Sequence, residues 1–187
     1  MGRTDIKIFT PINLVGFILV MTAGWVDTIG LYFFLDERSS CMTGRAAKLG
    51  EHILNREIQE TKIVLLIIVS FIVGACISTL ITKKLGLIGG LFFAGLLLVI
   101  TVLSTFQKEI NIALATIPMA MGGQNAATSL TDINRTSHLT GPATDIGINI
   151  AKGNWNLVIF WTLRWIGFFM GVVMAYKLVH VFKSNMI

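Results

Sequence analysis

Long apolar stretches alternate with short charged punctuation along this chain. The first runs from Ile12 to Phe34, opens at Pro11 and is followed by Asp36, Glu37 and Arg38. Residues 62–82 form a second run, closed by Lys83 and Lys84. Residues 86–106 form a third, which starts at Gly86 and ends at Gln107, Lys108 and Glu109. The Lys-Lys turn predicts an antiparallel hairpin of these two. Residues 110–130 are a fourth run, more polar because of Pro118, Gln124 and Asn125, and residues 156–180 a fifth, which carries Trp161, Arg164 and Trp165. A bilayer core is crossed by ~20 apolar residues in a helix, so each run is long enough to span.

Two further segments are too polar to face lipid: residues 40–56, "SCMTGRAAKLGEHILNR", and residues 137–152, "SHLTGPATDIGINIAK". Small residues recur in them at helical spacing, Thr43, Ala47 and Gly50 in one and Thr140, Ala143 and Gly147 in the other. Such stripes allow close helix contact, which predicts two polar helices enclosed by the other five. The expected fold is therefore an all-α, polytopic membrane bundle of about seven helical segments, forming a single transmembrane domain over residues 1–187.

Composition agrees. Only 13% of the 187 residues are charged and 54% are hydrophobic, with mean hydropathy +0.76; too few polar side chains remain to coat a soluble domain. The charged residues 1–11 and the long apolar run after them do not fit a cleaved signal peptide. The net charge of +5 speaks to anionic headgroups, and no basic-aromatic pattern for nucleic acid is present. Cys41 and Cys76 match no metal spacing, nor do His52, His138 and His180, so neither metal nor cofactor is expected. The Lys and Arg bias of the loops is nearly balanced and does not fix which end faces the cytoplasm.

Sliding the chain against itself by 97 or 98 residues reveals an internal repeat. "AGWVDTIG" falls on "MGGQNAAT", which sets Gly24 on Gly122 and Asp27 on Asn125. "MTGRAAKLG" falls on "LTGPATDIG", and Phe71 and Gly74 meet Phe168 and Gly171. The expected organisation is repeat one over 12–82, a linking helix over 86–106 and repeat two over 110–181. If both polar segments span, the repeats are parallel; if both are re-entrant, they are inverted. The parallel arrangement is the sequence expectation.

The GWVD, MTG, GxQN and TG blocks resemble the YoaK-type bacterial membrane proteins, a family defined as a domain of unknown function. The resemblance covers nearly the whole chain and implies a bacterial inner-membrane protein, without a substrate. One position departs: the family usually has Asn after the first Met-Thr-Gly, where this chain has Arg45.

Ionisable and amide groups at membrane depth mark candidate sites. Asp27 with Thr28 and its repeat counterpart Asn125 with Gln124 would form a polar centre, Asp27 as cation ligand or proton carrier, or else lock the helices together by hydrogen bonds. Thr43-Gly44 and Thr140-Gly141 look like helix starts whose hydroxyls cap free N–H groups. Lys48 and Asp145 hold equivalent repeat positions with opposite charge, which suggests an ion pair. Arg164 between two tryptophans is either an interfacial anchor or a partner for Asp27 or Asp145.

These features point to a small-solute transporter or permease embedded in the lipid bilayer, with a site formed by Asp27, Thr28, Thr43, Gly44, Gln124, Asn125, Thr140 and Gly141 between the repeats. A passive channel, a membrane-embedded enzyme and a partner-binding assembly protein are the alternatives. No nucleophile-base pair supports the enzyme, so no catalytic residue is assigned. Oligomeric state is left open, with a homo-oligomer among the options.

Overall fold

The computed structural model describes residues 10–33, 40–107 and 109–184. The charged residues Arg3, Asp5 and Lys7, the cluster Asp36, Glu37 and Arg38, and Lys108 lie outside the described residues. All regular structure among the described residues is helical: α1 (Pro11–Phe33), α2 (Met42–Leu54), α3 (Ile58–Phe106), α4 (Ile110–Ser129), α5 (Thr140–Ala151) and α6 (Trp155–Ser184).

Thr10 and Pro11 start α1 as their chemistry requires. The Thr10 hydroxyl accepts the Asn13 N–H at 3.3 Å, and Pro11 stands where no intrahelical donor is needed. α3 is two helices joined at Gly86, whose φ of 73° and ψ of −174° break the helical path. Helical geometry persists through Lys83 and Lys84, so the turn is made one step later than the charges suggest. A methyl on Gly90 would lie 2.1 Å from Thr82 Oγ1 and 3.1 Å from Ser78 Oγ. In one straight helix Gly90 would be ~12 Å from Thr82 and ~18 Å from Ser78, so the 87–106 arm folds back along the 58–85 arm.

Contacts between elements give the helix directions. Thr101 and Thr116 share a hydroxyl hydrogen bond of 2.7 Å while Gly90 faces Ala127, so the 87–106 arm and α4 are antiparallel. Gly74 lies against Met119 and, one turn on, Ser78 lies against Gly123, which makes the 58–85 arm and α4 parallel. Gly16 meets Arg164, Gly167 meets Phe17 and Gly171 meets Met21, so α1 and α6 are also parallel. Gln124 Nε2 donates to the Leu19 carbonyl at 2.9 Å, while Val26, later on α1, packs against the central cluster of Ala23 with Ala113, Ile117 and Met121, which come earlier on α4 than Gln124. α1 and α4 therefore cross in opposite directions.

Four of these approaches are carbonyl-to-glycine contacts. A Cβ would fall 2.2 Å from the Phe168 carbonyl at Gly24, 1.9 Å from that of Met21 at Gly171, 2.1 Å from that of Phe71 at Gly122 and 2.0 Å from that of Met119 at Gly74. Only hydrogen fits, and backbone atoms cannot swing aside as a long side chain could.

The distribution of residues is the reverse of a soluble bundle. The buried positions of α3 include Ser70, Gly74, Ser78, Thr82, Gly90, Thr101 and Ser104, whereas Val69, Ile72, Ile88, Phe92, Val99 and Leu103 face outward. Water would penalise that outer surface; hydrocarbon does not. Three helices are long and apolar enough to cross a bilayer, in Pro11–Leu31, Ile58–Phe106 and Trp155–Val181. The chain is a membrane-embedded, all-α protein. α4 is absent from those three: its Gly122, Gly123, Gln124 and Thr128 lower its hydropathy, and all four are buried against neighbouring helices instead.

α2 and α5 correct the expectation of enclosed helices. At 13 and 12 residues they rise only ~20 Å and ~18 Å, short of a ~30 Å core. The only buried residue on α2 is Arg45, and on α5 the buried residues are Pro142 and Asn149. Thr43, Ala47 and Gly50, like Thr140, Ala143 and Gly147, point outward. Both small-residue stripes are therefore outer faces, because the packing contacts come from the other side of each helix.

Candidate functional site

The polar side chains of α1 and α4 hold the connections that follow them. Asp27 is 2% exposed, and its Oδ1 accepts both the Ser40 N–H at 2.9 Å and the Ser40 hydroxyl at 2.8 Å. On α4, Asn125 Oδ1 accepts the Thr136 N–H at 3.3 Å. Gln124 Nε2 reaches Thr136 Oγ1 at 3.2 Å, and Thr128 Oγ1 shares a hydrogen with Thr136 Oγ1 at 3.1 Å. Each helix thus uses a side chain several residues before its end to bind backbone that has already left the helix and turned back.

The depth of the return follows from helix rise. Six residues separate Asp27 from Phe33, so Ser40 lies ~9 Å back inside the end of α1, and α2 begins there. Asn125 precedes the end of α4 at Ser129 by four residues, which puts Thr136 ~6 Å inside that end, just before α5. The 58–85 arm starts on the side where α1 ends, and α6 starts on the side where α4 ends, so α2 and α5 each run back out on the side their chain came from.

Arg45, 2% exposed on the first turn of α2, interacts electrostatically with Asp27. His138, next to the start of α5, feels the same carboxylate and lies against Phe71, ring centroids 5.8 Å apart. The tip before α5 thus approaches the neighbourhood of Asp27 from the opposite end of the bundle. The carboxylate is well placed for α2, because the partial positive charge of a helix N-terminus favours an anion.

The sequence-predicted residues separate into two groups. Asp27, Thr28, Gln124 and Asn125 are in the interior; the Thr28 hydroxyl is spent on the Gly24 carbonyl at 2.9 Å. Asp27 and Asn125 are not face to face. With Gln124 on Leu19 in the antiparallel crossing, Asp27 is ~12 Å further along α1. Thr43, Gly44, Thr140 and Gly141 are exposed, and neither threonine caps its helix: the N-cap residues are Cys41 and Leu139, without side-chain cap bonds. Thr43 misses because it is already the second residue of α2. Lys48 and Asp145 make no ion pair with each other among the described residues; Asp145 instead offers its backbone carbonyl to Asn149 Nδ2 at 2.7 Å.

Ser40 and Thr136 escaped the sequence reading of the site, although both carried a signal, a hydroxyl residue three or four positions before each Thr-Gly pair. Arg164 is neither an anchor nor a partner of Asp27 or Asp145. It is 3% exposed, donates through Nη2 to the Ile133 carbonyl at 3.0 Å and places Cζ 5.0 Å from the Phe160 ring centre.

No group of three or more His, Cys, Asp or Glu residues that could hold a metal ion occurs among the described residues. No curated protein and no solved structure matches the chain. The YoaK-type label of the sequence resemblance is carried by no named relative, but the model of the family DUF1275, "Protein of unknown function", matches residues 15–187. With interior, turns and both polar tips inside that match, this chain belongs to the DUF1275 family.

Proposed function

We propose that the chain is a small-solute permease built as an inverted repeat, with α2 and α5 as re-entrant half-helices whose N-termini point toward the middle of the bilayer. The observation that carries this reading is the twice-made contact from an interior side chain to a returning backbone N–H, Asp27 to Ser40 and Asn125 to Thr136. Asp27 and Asn125 fall on each other in the sequence alignment of the two halves, on helices that cross antiparallel. The carbonyl-to-glycine contacts repeat likewise: Gly24 on Phe168 and Gly171 on Met21 become Gly122 on Phe71 and Gly74 on Met119 under the same 97- or 98-residue offset. Antiparallel crossing fits the inverted alternative rather than the parallel one, and the 87–106 arm supplies the odd crossing that inversion needs.

Non-helical backbone at membrane depth is tolerated where protein or a wet cavity surrounds it, and broken or half-length helices are where transporters place their solutes. On this reading Asp27, Gln124 and Asn125 position the two tips. The solute passes between the helix starts, beside Ser40, Arg45, Thr136 and His138, and not along Thr43 or Thr140. The protein is not an enzyme on this proposal, and its membrane is the bacterial inner membrane that the family resemblance implies.

Stopped-flow light scattering on proteoliposomes tests it, with glycerol, urea, formate and acetate as osmolytes. The expected result is protein-dependent re-swelling with at least one solute, lost in Asp27→Ala and Asn125→Ala variants that keep their elution profile. Identical swelling of empty and protein-containing vesicles in all four refutes it. Saturation of the rate with solute concentration separates a carrier from a passive channel.

A further inference from the structure

A second site is independent of the central tips and of whether any solute crosses. Between the first turns of α1 and the start of α6 lies a cavity of about 170 Å³ lined by Thr10, Asn13, Leu14, Phe17, Phe160, Leu163 and Arg164. Its walls are mostly apolar, with two phenylalanine rings. Arg164, described above, is among the lining residues. Nη2 is spent on Ile133, but Nη1 is buried without a hydrogen-bond partner, and no carboxylate among the described residues pairs with it. The position is built for this cation: a Cβ on Gly16 would fall 2.2 Å from both Nη1 and Nη2, so glycine leaves the room the guanidinium fills.

A buried guanidinium without an acid is costly, because its charge has lost water and gained only one neutral acceptor and one ring face. α1 begins at Pro11 beside the same cavity, and the dipole at its N-terminus adds positive potential. We propose that this pocket binds a small amphiphilic oxyanion, its carboxylate or phosphate toward Arg164 and its apolar part between Phe17 and Phe160. A space near 150 Å³ holds a benzene ring, so the free ligand is of the size of benzoate; the equivalent lipid source is the headgroup phosphate of an anionic phospholipid.

The test uses the full chain in a neutral, lipid-free detergent. Melting midpoints are followed against sodium benzoate, against benzamide as the uncharged isostere, and against mixed micelles of phosphatidylglycerol or phosphatidylcholine, all at matched ionic strength. A rise with benzoate and not benzamide identifies a free carboxylate ligand. A rise with phosphatidylglycerol and not phosphatidylcholine identifies the lipid source. Arg164→Gln weakens the apparent affinity at least ~tenfold, as loss of a charge-assisted hydrogen bond requires. Because that variant also strips the donor from Ile133 and can fail to fold, Leu14→Trp, which fills the mouth and retains Arg164, is the second arm and abolishes the response. No shift with either anion, equal shifts with the neutral controls, or an undiminished shift in Leu14→Trp overturns the proposal. Loss of flux in the proteoliposome assay leaves this binding unchanged.

Discussion

Replacing Gly122 with alanine adds one methyl group whose energetic sign depends on the helix crossing. In an isolated helix the change is favourable by ~1 kcal/mol, since alanine has the higher helix propensity. Here the new Cβ would be 2.1 Å from the Phe71 carbonyl oxygen, whereas carbon-to-oxygen contacts settle near ~3.3 Å. α4 and the 58–85 arm would have to separate by ~1 Å, and overpacking of this kind costs ~1–3 kcal/mol along with contacts on either side. A net loss of ~1–2 kcal/mol is expected, or ~3–6 °C in melting midpoint for a chain of this size. Gly24→Ala, Gly74→Ala and Gly171→Ala should behave alike, because each faces a backbone carbonyl. Gly50 and Gly147 are the internal controls: both are helical, with nothing within 4 Å of a built Cβ, so alanine there should raise the midpoint by ~2 °C. Tryptophan-fluorescence melting of the six purified variants in one detergent measures this. A stabilising Gly122→Ala, or six variants shifted in the same direction, would refute the packing argument.

Other outcomes follow from the same geometry. Asp27→Leu should cost ~2–4 kcal/mol, because two buried bonds to a charged acceptor vanish together, while Asp27→Asn, which keeps an acceptor for Ser40, should cost less than half as much in denaturant titration. With Cys41 and Cys76 replaced by serine, Asn55→Cys and Lys152→Cys should react with a membrane-impermeant maleimide from opposite faces of the bilayer; labelling from one face would restore the parallel arrangement and remove the inverted repeat. Swapping charges at Lys48 and Asp145 together should show no rescue over the single reversals, and a midpoint recovered by the double swap would mean that the two side chains meet after all.

Apolar run length was enough to read a helical membrane protein from residues 12–34, 62–82, 86–106 and 156–180, since hydrophobic thickness is a one-dimensional requirement that a stretch of sequence meets or fails alone. The alignment of Asp27 with Asn125 is a comparison of the sequence with itself, at an offset of 97 or 98 residues, and needs no coordinates. What the sequence could not supply was direction and side. The polar segments 40–56 and 137–152 read as enclosed helices because a stripe of small residues marks close packing in many bundles, yet the stripes on α2 and α5 face outward, and the inward positions went to Arg45, Pro142 and Asn149. Likewise Asp27 looked like half of a shared site, and its carboxylate instead holds Ser40, thirteen residues further on. Which backbone N–H a buried acceptor finds depends on where the chain turns back after leaving its helix. That turn, and with it the antiparallel crossing of α1 and α4 and the burial of Arg164 beside Gly16, exists only once all the helices have packed.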